Sequence, residues 1–206
     1  MLNEVRRRKL RNFMQSSLCL PHFVSWVIFG GIVIQFLSPS TGIVNHIITK
    51  WFGGEPIFFM TSPEYFRSIV VISEIWKNAG WNAIIFLAAI IGVDQTLYEA
   101  AYMDGAKKLK QIWHITLPCI SETIVVLLLL NIGILMTVGF EQIYVLYNPT
   151  VYSVGDVIST YVYRIGIGNG RFSLTTAIGL FQSLVSLILI FSANFVMRKV
   201  FGKSLW

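Results

Sequence analysis

Residues 172–197 read FSLTTAIGLFQSLVSLILIFSANFVM, a stretch without a single Asp, Glu, Lys or Arg. As a helix it extends about 39 Å at about 1.5 Å per residue, whereas the hydrocarbon core of a bilayer is about 30 Å thick. Small and polar residues recur along one side of this helix and large apolar residues along the other: Gly179, Gln182, Ser183 and Ser186 against Leu180, Leu184, Leu187 and Phe191. The apolar side is predicted to face lipid, and the other side suits either helix packing or a polar pathway.

Three other blocks lack charge in the same way, at residues 12–49, 78–93 and 123–140. With their flanks, the four blocks predict membrane spans at 18–37, 69–92, 122–140 and 172–197, all of them helical because lipid cannot satisfy an open backbone. Of the 206 residues, 13% are charged and 55% are hydrophobic, whereas a soluble domain is about 25% charged. The composition excludes a water-soluble domain and predicts an all-α, polytopic membrane protein that forms one unit over residues 1–206.

Local features carry further expectations. The first span contains three residues that weaken a helix in water but are tolerated in a membrane helix whose neighbours pack closely: Pro21, Gly30 and Gly31. Glu74 and Lys77 are expected at the outer mouth of the second span, because a charge at the bilayer centre costs about 3 kcal/mol. Outside the membrane, residues 156–165 have a helical pattern with Asp156 as the predicted N-cap.

The placement of Lys and Arg predicts an orientation. If the N-terminus is inside, eleven of the 16 basic residues lie inside, namely Arg6, Arg7, Arg8, Lys9, Arg11, Lys107, Lys108, Lys110, Arg198, Lys199 and Lys203. Five lie outside, namely Lys50, Arg67, Lys77, Arg164 and Arg171. The positive-inside rule therefore predicts that both termini are cytoplasmic. This placement explains the net charge of +6 without nucleic acid as a partner.

Signatures of enzymes are missing where their chemistry would require them. Gly202-Lys203-Ser204 resembles the end of a phosphate loop, but the first glycine of that loop is replaced by Met197. Gly166, Gly168 and Gly170 lack the spacing of a dinucleotide fingerprint, and the sequence contains no HExxH or GxSxG motif. Two cysteines cannot form a disulfide framework or a metal site. The chain is therefore predicted to be no enzyme and to bind no cofactor and no metal.

One polar stretch, residues 94–118, is helical in pattern and sharply broken. Asp94 can cap a helix whose inner face carries Leu97, Ala100 and Ala101. Gly105 then permits a backbone turn that a larger residue resists, and Pro118 suits the first turn of the next span. After the turn, apolar residues recur at helical spacing while lysines point elsewhere: Leu109, Ile112 and Trp113 against Lys107, Lys108 and Lys110. This small helix-turn-helix either serves a partner or lies on the chain's own helices.

The same stretch carries a mixed signature: Glu99-Ala100-Ala101, three residues, Gly105, nine residues, Ile115, one residue and Leu117-Pro118. It resembles the EAA loop of the membrane subunits of bacterial binding-protein-dependent ABC importers. Residues 20–26, 140–149, 156–164 and 204–206 are similar to the carbohydrate-importer permeases of polysaccharide and oligosaccharide uptake. The resemblance extends over essentially the whole chain.

The resemblance implies a six-helix importer-permease fold, of which this chain shows four spans and is expected to lack the first two helices. It implies a second permease subunit, a pair of ABC ATPase subunits that hydrolyse ATP, an extracellular solute-binding lipoprotein and a bacterial cell membrane. It also implies that the residues that couple the chain to the ATPase are Glu99, Ala100, Ala101, Asp104, Gly105, Ile115, Leu117 and Pro118.

Aromatic and amide side chains suit sugar binding, and those predicted near the membrane midplane and its outer mouth are the candidates for solute contact: Trp81, Asn82, Asn131, Phe140, Gln142, Tyr144 and Gln182. Aromatic belts at membrane interfaces have the same composition. The sequence is also compatible with two alternatives to a sugar permease, namely a permease for another solute class and a membrane scaffold without a solute pathway. An intramembrane enzyme would need a nucleophile, a base or a metal cluster, and the sequence places none.

Overall fold

The structure, a computed structural model, describes residues 8–136 and 139–202. Every regular element in these residues is helical, as predicted for an all-α chain. Parts of the predicted patterns lie outside the described residues, namely Arg6, Arg7, Lys203 and the closing residues 204–206.

The α-helices, in chain order, are α1 (Arg8–Phe23), α2 (Trp26–Leu37), α3 (Ile43–Trp51), α4 (Pro63–Ile91), α5 (Gln95–Met103), α6 (Lys108–Gln111), α7 (Leu117–Cys119), α8 (Ser121–Ile134), α9 (Phe140–Leu146), α10 (Tyr152–Gly155), α11 (Ile158–Tyr163) and α12 (Phe172–Phe201). Pro149–Val151 forms a 3₁₀ turn, and Ile112–Thr116 and Arg164–Gly168 form π-helical turns. The chain divides into two compact units, Met1–Trp81 with Thr137–Leu180 and Asn82–Met136 with Phe181–Trp206.

Membrane-spanning length is reached in two ways. The helix Phe172–Lys199 is long and apolar enough to cross a bilayer unaided, with a mean hydropathy of 2.1. Three further candidates are pairs of helices joined at a bend, of 111° after Phe23, 72° after Ile91 and 62° after Cys119. By length and composition, the described residues therefore offer between one and four spans. The predicted span 69–92 falls almost entirely in α4, and the predicted span 172–197 lies within α12.

The prediction of a continuous first span at 18–37 is wrong. Pro21 lies in the last turn of α1, where it removes a backbone donor, and the chain re-enters a helix only after Ser25. Ser25 is extended at φ −61° and ψ 154°, and its hydroxyl accepts a hydrogen bond from the Ile28 amide. Proline and N-cap signals thus outweigh the apolar run that suggested one helix.

The predicted third span, 122–140, is too long at its C-terminal end. α8 ends at Ile134, and Gly139 has φ +90° before α9 begins. The carbonyl of Met136 accepts a hydrogen bond from Gln182 Nε2 at 2.9 Å. A side chain of α12 therefore satisfies a carbonyl that the end of α8 leaves without a helical partner.

The first unit has a core built from three helices. α2, α4 and α9 and the turn after α9 contribute its buried members, Phe29, Val33, Phe66, Ile69, Ile143, Leu146 and Val151. Two glycines allow close packing around this core. A Cβ at Gly30 would lie 2.6 Å from a Val145 methyl, and a Cβ at Gly80 would lie 2.0 Å from the Leu18 carbonyl oxygen. The predicted close packing is thus confirmed at Gly30, whereas Gly31 has no such neighbour.

The second unit is held by α8 and the C-terminal half of α12. Val125, Leu129 and Met197 form its buried cluster, with Ala193 against them. The residues predicted to face lipid on α12 are exposed, from Leu180 at 70% to Leu187 at 53%.

Candidate functional site

The 94–118 segment begins with the predicted cap. The Thr96 amide donates a 2.9 Å hydrogen bond to Asp94 Oδ1, so Asp94 is the N-cap of α5, as expected. This hydrogen bond lowers the pKa of the Asp94 carboxyl, because it stabilises the ionised form. α5 therefore has a fixed starting point just after α4.

Gly105 ends α5 in the way that its position in the signature requires. Its φ is +73°, a left-handed conformation that glycine adopts without strain. The amides of Gly105 and Ala106 donate to the carbonyls of Tyr102 and Ala101 at 3.0 and 2.9 Å. This is the double hydrogen bond of a Schellman motif, which closes the helix and reverses the chain.

The second half of the segment returns along a less regular path. α6 runs into the π-helical turn Ile112–Thr116, and α7 follows with Pro118 in its first turn, where a missing amide costs little. The hydroxyls of Tyr98 and Thr116 lie 2.9 Å apart, which ties α5 to the π-helical turn. The fold thus gives the segment two arms joined at Gly105 and again at this hydrogen bond.

Most of the segment is exposed. α5 and α6 contain no buried residue. Large apolar side chains are left uncovered along both arms, with exposures of 44% for Leu97, 76% for Tyr102, 84% for Met103, 71% for Leu109, 46% for Ile112 and 66% for Trp113. Glu99, Ala100, Asp104, Gly105 and Pro118 are also exposed, whereas Ala101, Ile115 and Leu117 are half-buried. Most side chains of both arms are therefore left uncovered by the chain's own helices.

Two predicted solute contacts belong to an aromatic cluster in the first unit. The Phe140 and Tyr144 rings stack with centroids 5.5 Å apart, and the Tyr163 ring lies 5.3 and 5.1 Å from them. A hydrogen bond with Tyr163 raises the pKa of Tyr144. Tyr144 remains 45% exposed, so one face of this cluster is open.

Gln142, between these two residues in sequence, is a core residue. It is 2% exposed, and its amide donates to the Val70 carbonyl at 2.7 Å and to the Ser73 hydroxyl at 2.9 Å. In this structure the Gln142 amide stabilises the packing of α9 on α4 and does not face an open surface.

The other four candidates are dispersed. Trp81 stacks on His22 at 4.7 Å and is 42% exposed, and Asn82 is exposed next to it on α4. Asn131 donates back to the Leu127 carbonyl of its own helix at 2.7 Å. Gln182 donates to Met136, as described above. The candidates therefore do not form one site within either unit.

Two charged residues have roles that the sequence did not reveal. Lys77, which was expected at the outer mouth of the second span, is 6% exposed, and its ammonium is bonded to backbone carbonyls near the end of α1. Asp156 is not an N-cap, because Val157 holds that position in front of α11. Burial acts to raise the pKa of Asp156, but hydrogen bonds from Arg164 and Thr160 outweigh it, so the pKa lies below its usual value. The role of Lys77 depends on contacts with residues far away in sequence, whereas the partners of Asp156 lie four and eight residues along the chain.

Comparisons with known proteins agree with this architecture. A family model described as "Binding-protein-dependent transport system inner membrane component" matches residues 1–202. Protein LplB of Bacillus subtilis is 47% identical over 97% of this chain, and the polygalacturonan/rhamnogalacturonan transport system permease protein YteP of the same organism is 47% identical over 98% of it. The chain spans 62% and 63% of the length of these relatives.

Two crystal structures of a bacterial alginate ABC transporter resemble the chain in fold and sequence. One, of a transporter involved in the import of the acidic polysaccharide alginate, has a TM-score of 0.93 at 46% identity and aligns with 97% of this chain and 70% of its own. The other, in complex with an alginate pentasaccharide-bound periplasmic protein, has a TM-score of 0.95 at 45% identity and aligns with 100% of this chain and 71% of its own. The chain thus belongs to the family of binding-protein-dependent transport system inner membrane components, and it is a membrane protein.

Proposed function

We propose that this chain is a permease subunit of an ATP-driven importer for oligosaccharides and that its 94–118 segment is the contact with the ATPase. A second permease subunit, an ABC ATPase dimer and an extracellular solute-binding lipoprotein complete the assembly, in a bacterial cell membrane. The chain performs no bond chemistry of its own. Its product is a conformational change driven by ATP hydrolysis in the partner.

The observation that carries this proposal is the uncovered α5 arm. A helix of nine residues with a capped start, a Schellman end and no buried residue is held in place through Tyr98, which bonds to Thr116, while most of its surface is left exposed. Met103 and Tyr102 supply apolar contact area, Ala100 permits close approach, and Glu99 offers a charge at the rim. Such a helix is suited to insert into a groove of another subunit.

Motion would pass from this arm into the membrane helices through short connections. Two residues after α4 lead to Asp94 and α5, and Pro118 in α7 lies three residues before Ser121, where α8 begins after a 62° bend. Closure of the ATPase dimer would displace α5, and both connected helices would follow as alternating access. The positive-inside rule supports an orientation with both termini in the cytoplasm, which would put the segment on the ATPase side.

The names of the relatives and the open aromatic face support the proposed solute class. The names of the relatives mention polygalacturonan, rhamnogalacturonan and the acidic polysaccharide alginate. In this chain, the exposed Tyr144, on which the Phe140 ring stacks, and the exposed Trp81 offer rings of the kind on which sugars stack. Acidic oligosaccharides are therefore the first solutes to test.

Coupling is tested in proteoliposomes that contain the assembled transporter. Glu99→Lys and Gly105→Pro should each abolish import and weaken co-purification of the ATPase, because one reverses the charge at the contact and the other cannot adopt φ +73°. Glu55→Lys, the same charge reversal at an exposed position of the first unit, is the matched control. Unchanged import and assembly in both test variants would refute the coupling role.

The solute class is tested by competition. Import of a radiolabelled oligouronide should be inhibited by unlabelled oligogalacturonate or oligoalginate and not by a neutral malto-oligosaccharide. Competition by amino acids or peptides would instead support a permease for another solute class. A chain that never co-purifies with an ATPase would support the scaffold alternative.

A further inference from the structure

The break between α1 and α2 leaves backbone groups without helical partners. The two helices meet at 111° after Phe23, and α2 begins only at Trp26. At the break the Pro21 carbonyl still accepts a 3.3 Å hydrogen bond from the Val24 amide, but the helical pattern is interrupted, and carbonyls are costly to leave unsatisfied where water is excluded. Some other donor has to be present at the break.

Lys77 is that donor. Its ammonium lies 3.0 Å from the carbonyl oxygen of Pro21 and 3.0 Å from that of His22, and it also donates to the carbonyl of Val24. An ammonium has three donors, so these three acceptors use all of them. Lys77 stands at the midpoint of α4, which has 29 residues, and its side chain is 6% exposed.

The ammonium also contacts the helix on the far side of the break. It lies 5.4 Å from the ring centroid of Trp26 and 5.7 Å from that of Phe29, both on α2, within the range of cation–π attraction. One charge thus contacts the end of α1 through carbonyls and the start of α2 through aromatic faces. We call this arrangement of Lys77 with Pro21, His22, Val24 and the two rings the Lys77 joint.

A second set of contacts fastens the same place. His22 Nδ1 lies 3.0 Å from Asn78 Oδ1, and Asn78 Nδ2 donates to Glu74 Oε1 at 2.7 Å. The Asn78 amide nitrogen is used by Glu74, so His22 is the donor to the Asn78 oxygen. Adjacent residues of α4 therefore hold both the backbone and the side chain of His22.

Opening the Lys77 joint would remove the ammonium from all three carbonyls, of which Pro21 would keep the Val24 amide at 3.3 Å. A buried charge would also lose its acceptors, which is the costly way to break a buried polar contact. Both penalties grow where lipid surrounds the chain. The joint is thus expected to remain closed while other parts of the molecule move.

We propose that Lys77 is a positioning residue, which locks the end of α1, the start of α2 and the middle of α4 into one rigid body during transport. This inference rests on the proposed permease function. A movable gate at the same break would require these contacts to form in one state of the cycle and to separate in the other.

The native thiols provide a test on the joint itself. Cys19 is buried on α1, where its amide nitrogen would be 2.7 Å from a Cβ at Gly80 of α4, whereas Cys119 is exposed. In a Cys119→Ser chain, Cys19 should react with N-ethylmaleimide equally slowly in nucleotide-free and vanadate-trapped transporter. Adding Lys77→Met should speed labelling at least about tenfold, because a buried contact loses one partner. A tenfold difference between the two states, or no effect of Lys77→Met, would overturn the proposal.

Transport stoichiometry separates positioning from simple stability. In assembled transporter, Lys77→Met should lower solute imported per ATP hydrolysed by about tenfold, since a loose joint no longer transmits the motion that the ATPase drives. Lys77→Arg, which keeps a charge and donors, should retain more of this ratio, and Lys50→Met is the matched control at an exposed lysine. An unchanged ratio per assembled transporter would reduce Lys77 to a stabilising residue.

The two proposals fail in distinguishable ways. If the wild-type transporter imports no solute, the proposed function is wrong, and labelling of Cys19 in the isolated Cys119→Ser chain, with and without Lys77→Met, still tests the joint. If Lys77→Met prevents assembly, the proposal for the joint is tested by comparing Cys19 labelling of the lysine-containing chain in the two nucleotide states. If the wild-type transporter imports solute but the labelling rate of Cys19 differs between the two nucleotide states, the proposal for the joint is wrong and the proposed function stands.

Discussion

The 94–118 segment and the Lys77 joint both interrupt a helical path, and they are stabilised in opposite ways. The segment ends α5 with a glycine at φ +73° and hydrogen bonds between residues close in sequence. The joint satisfies the end of α1 with an ammonium that lies 53 to 56 residues away along the chain. The first stays exposed and the second is buried. A local solution leaves a surface available to a partner, whereas a long-range solution fixes two helices to each other.

Close packing beside the joint offers the strongest test of its rigidity. A Cβ at Gly80 would lie 2.0 Å from the Leu18 carbonyl oxygen and 2.3 Å from its carbonyl carbon. Backbone atoms cannot rotate away as a side chain can, so Gly80→Ala should destabilise the chain by about 3 kcal/mol or more. The measurement is the loss of the monodisperse peak and of thermal stability in detergent.

Gly31→Ala is the control for this substitution, because a Cβ there has no neighbour within 4 Å and the residue lies within α2. It should be neutral or should stabilise by about 0.5–1 kcal/mol, as alanine is the better helix former. Equal tolerance of both substitutions would show that α1 and α4 are not held together as closely as the joint requires.

Gly105 provides the corresponding test for the exposed segment. A Cβ there would meet no atom within 4 Å, so only the backbone conformation opposes a larger residue. Gly105→Ala should cost about 1–2 kcal/mol through the left-handed conformation, and import should fall while the chain remains folded. Gly105→Asn should retain most of the import rate, because asparagine adopts this conformation more readily.

Import measured per assembled transporter distinguishes these variants. If Gly105→Asn were as defective as Gly105→Ala, the defect would arise at the partner's surface and not in the turn. If neither were defective, the turn would not matter for coupling.

The sequence predicts the local contacts of the 94–118 segment but not the long-range contacts of the Lys77 joint. Asp94 and Gly105 act on residues two to five positions away, so a capping rule and a turn rule place both correctly. Lys77 could be read from sequence only as a charge in an apolar span, since its acceptors are backbone carbonyls of another helix and carry no sequence signal. The break itself had signals in Pro21 and Ser25, which were outweighed by the length of the apolar run.

The candidate solute contacts show the same limit. A glutamine at position 142 and a tyrosine at 144 both suit sugar binding by composition. Only the fold separates them, because Gln142 turns into the core against α4 while Tyr144 stays 45% exposed. Which of two neighbouring polar residues faces outward depends on how a helix packs, and that is decided by elements far away in sequence.

The hydrogen bond between Tyr98 and Thr116 joins the two arms of the segment. Its removal should cost less stability than Gly80→Ala or Gly105→Ala. Tyr98→Phe removes the hydroxyl that lies 2.9 Å from Thr116 Oγ1, and it should destabilise the arrangement of the arms by about 1 kcal/mol. Faster hydrogen exchange in residues 112–116 would detect this, with α12 as the internal reference. Unchanged exchange would show that Gly105 alone sets the geometry of the segment.

The N-cap of α5 should have the smallest effect, and its pH dependence has a definite sign. The hydrogen bond from Thr96 depresses the pKa of Asp94 in the folded chain, so its stabilisation is complete above the unfolded pKa of about 3.9 and is lost as pH falls through the folded pKa. Between about pH 5 and pH 8 the cap should therefore contribute a constant free energy to the stability of α5. Over this range the pH profile of ATP-driven import should be the same for the native chain and for Asp94→Asn. Asp94→Ala, which has no acceptor, should fray the first turn of α5 and speed exchange of the Thr96 amide, whereas Asp94→Asn should protect it almost as well as the native residue. If both variants exchanged alike, the start of α5 would be fixed by its connection to α4 and not by the cap.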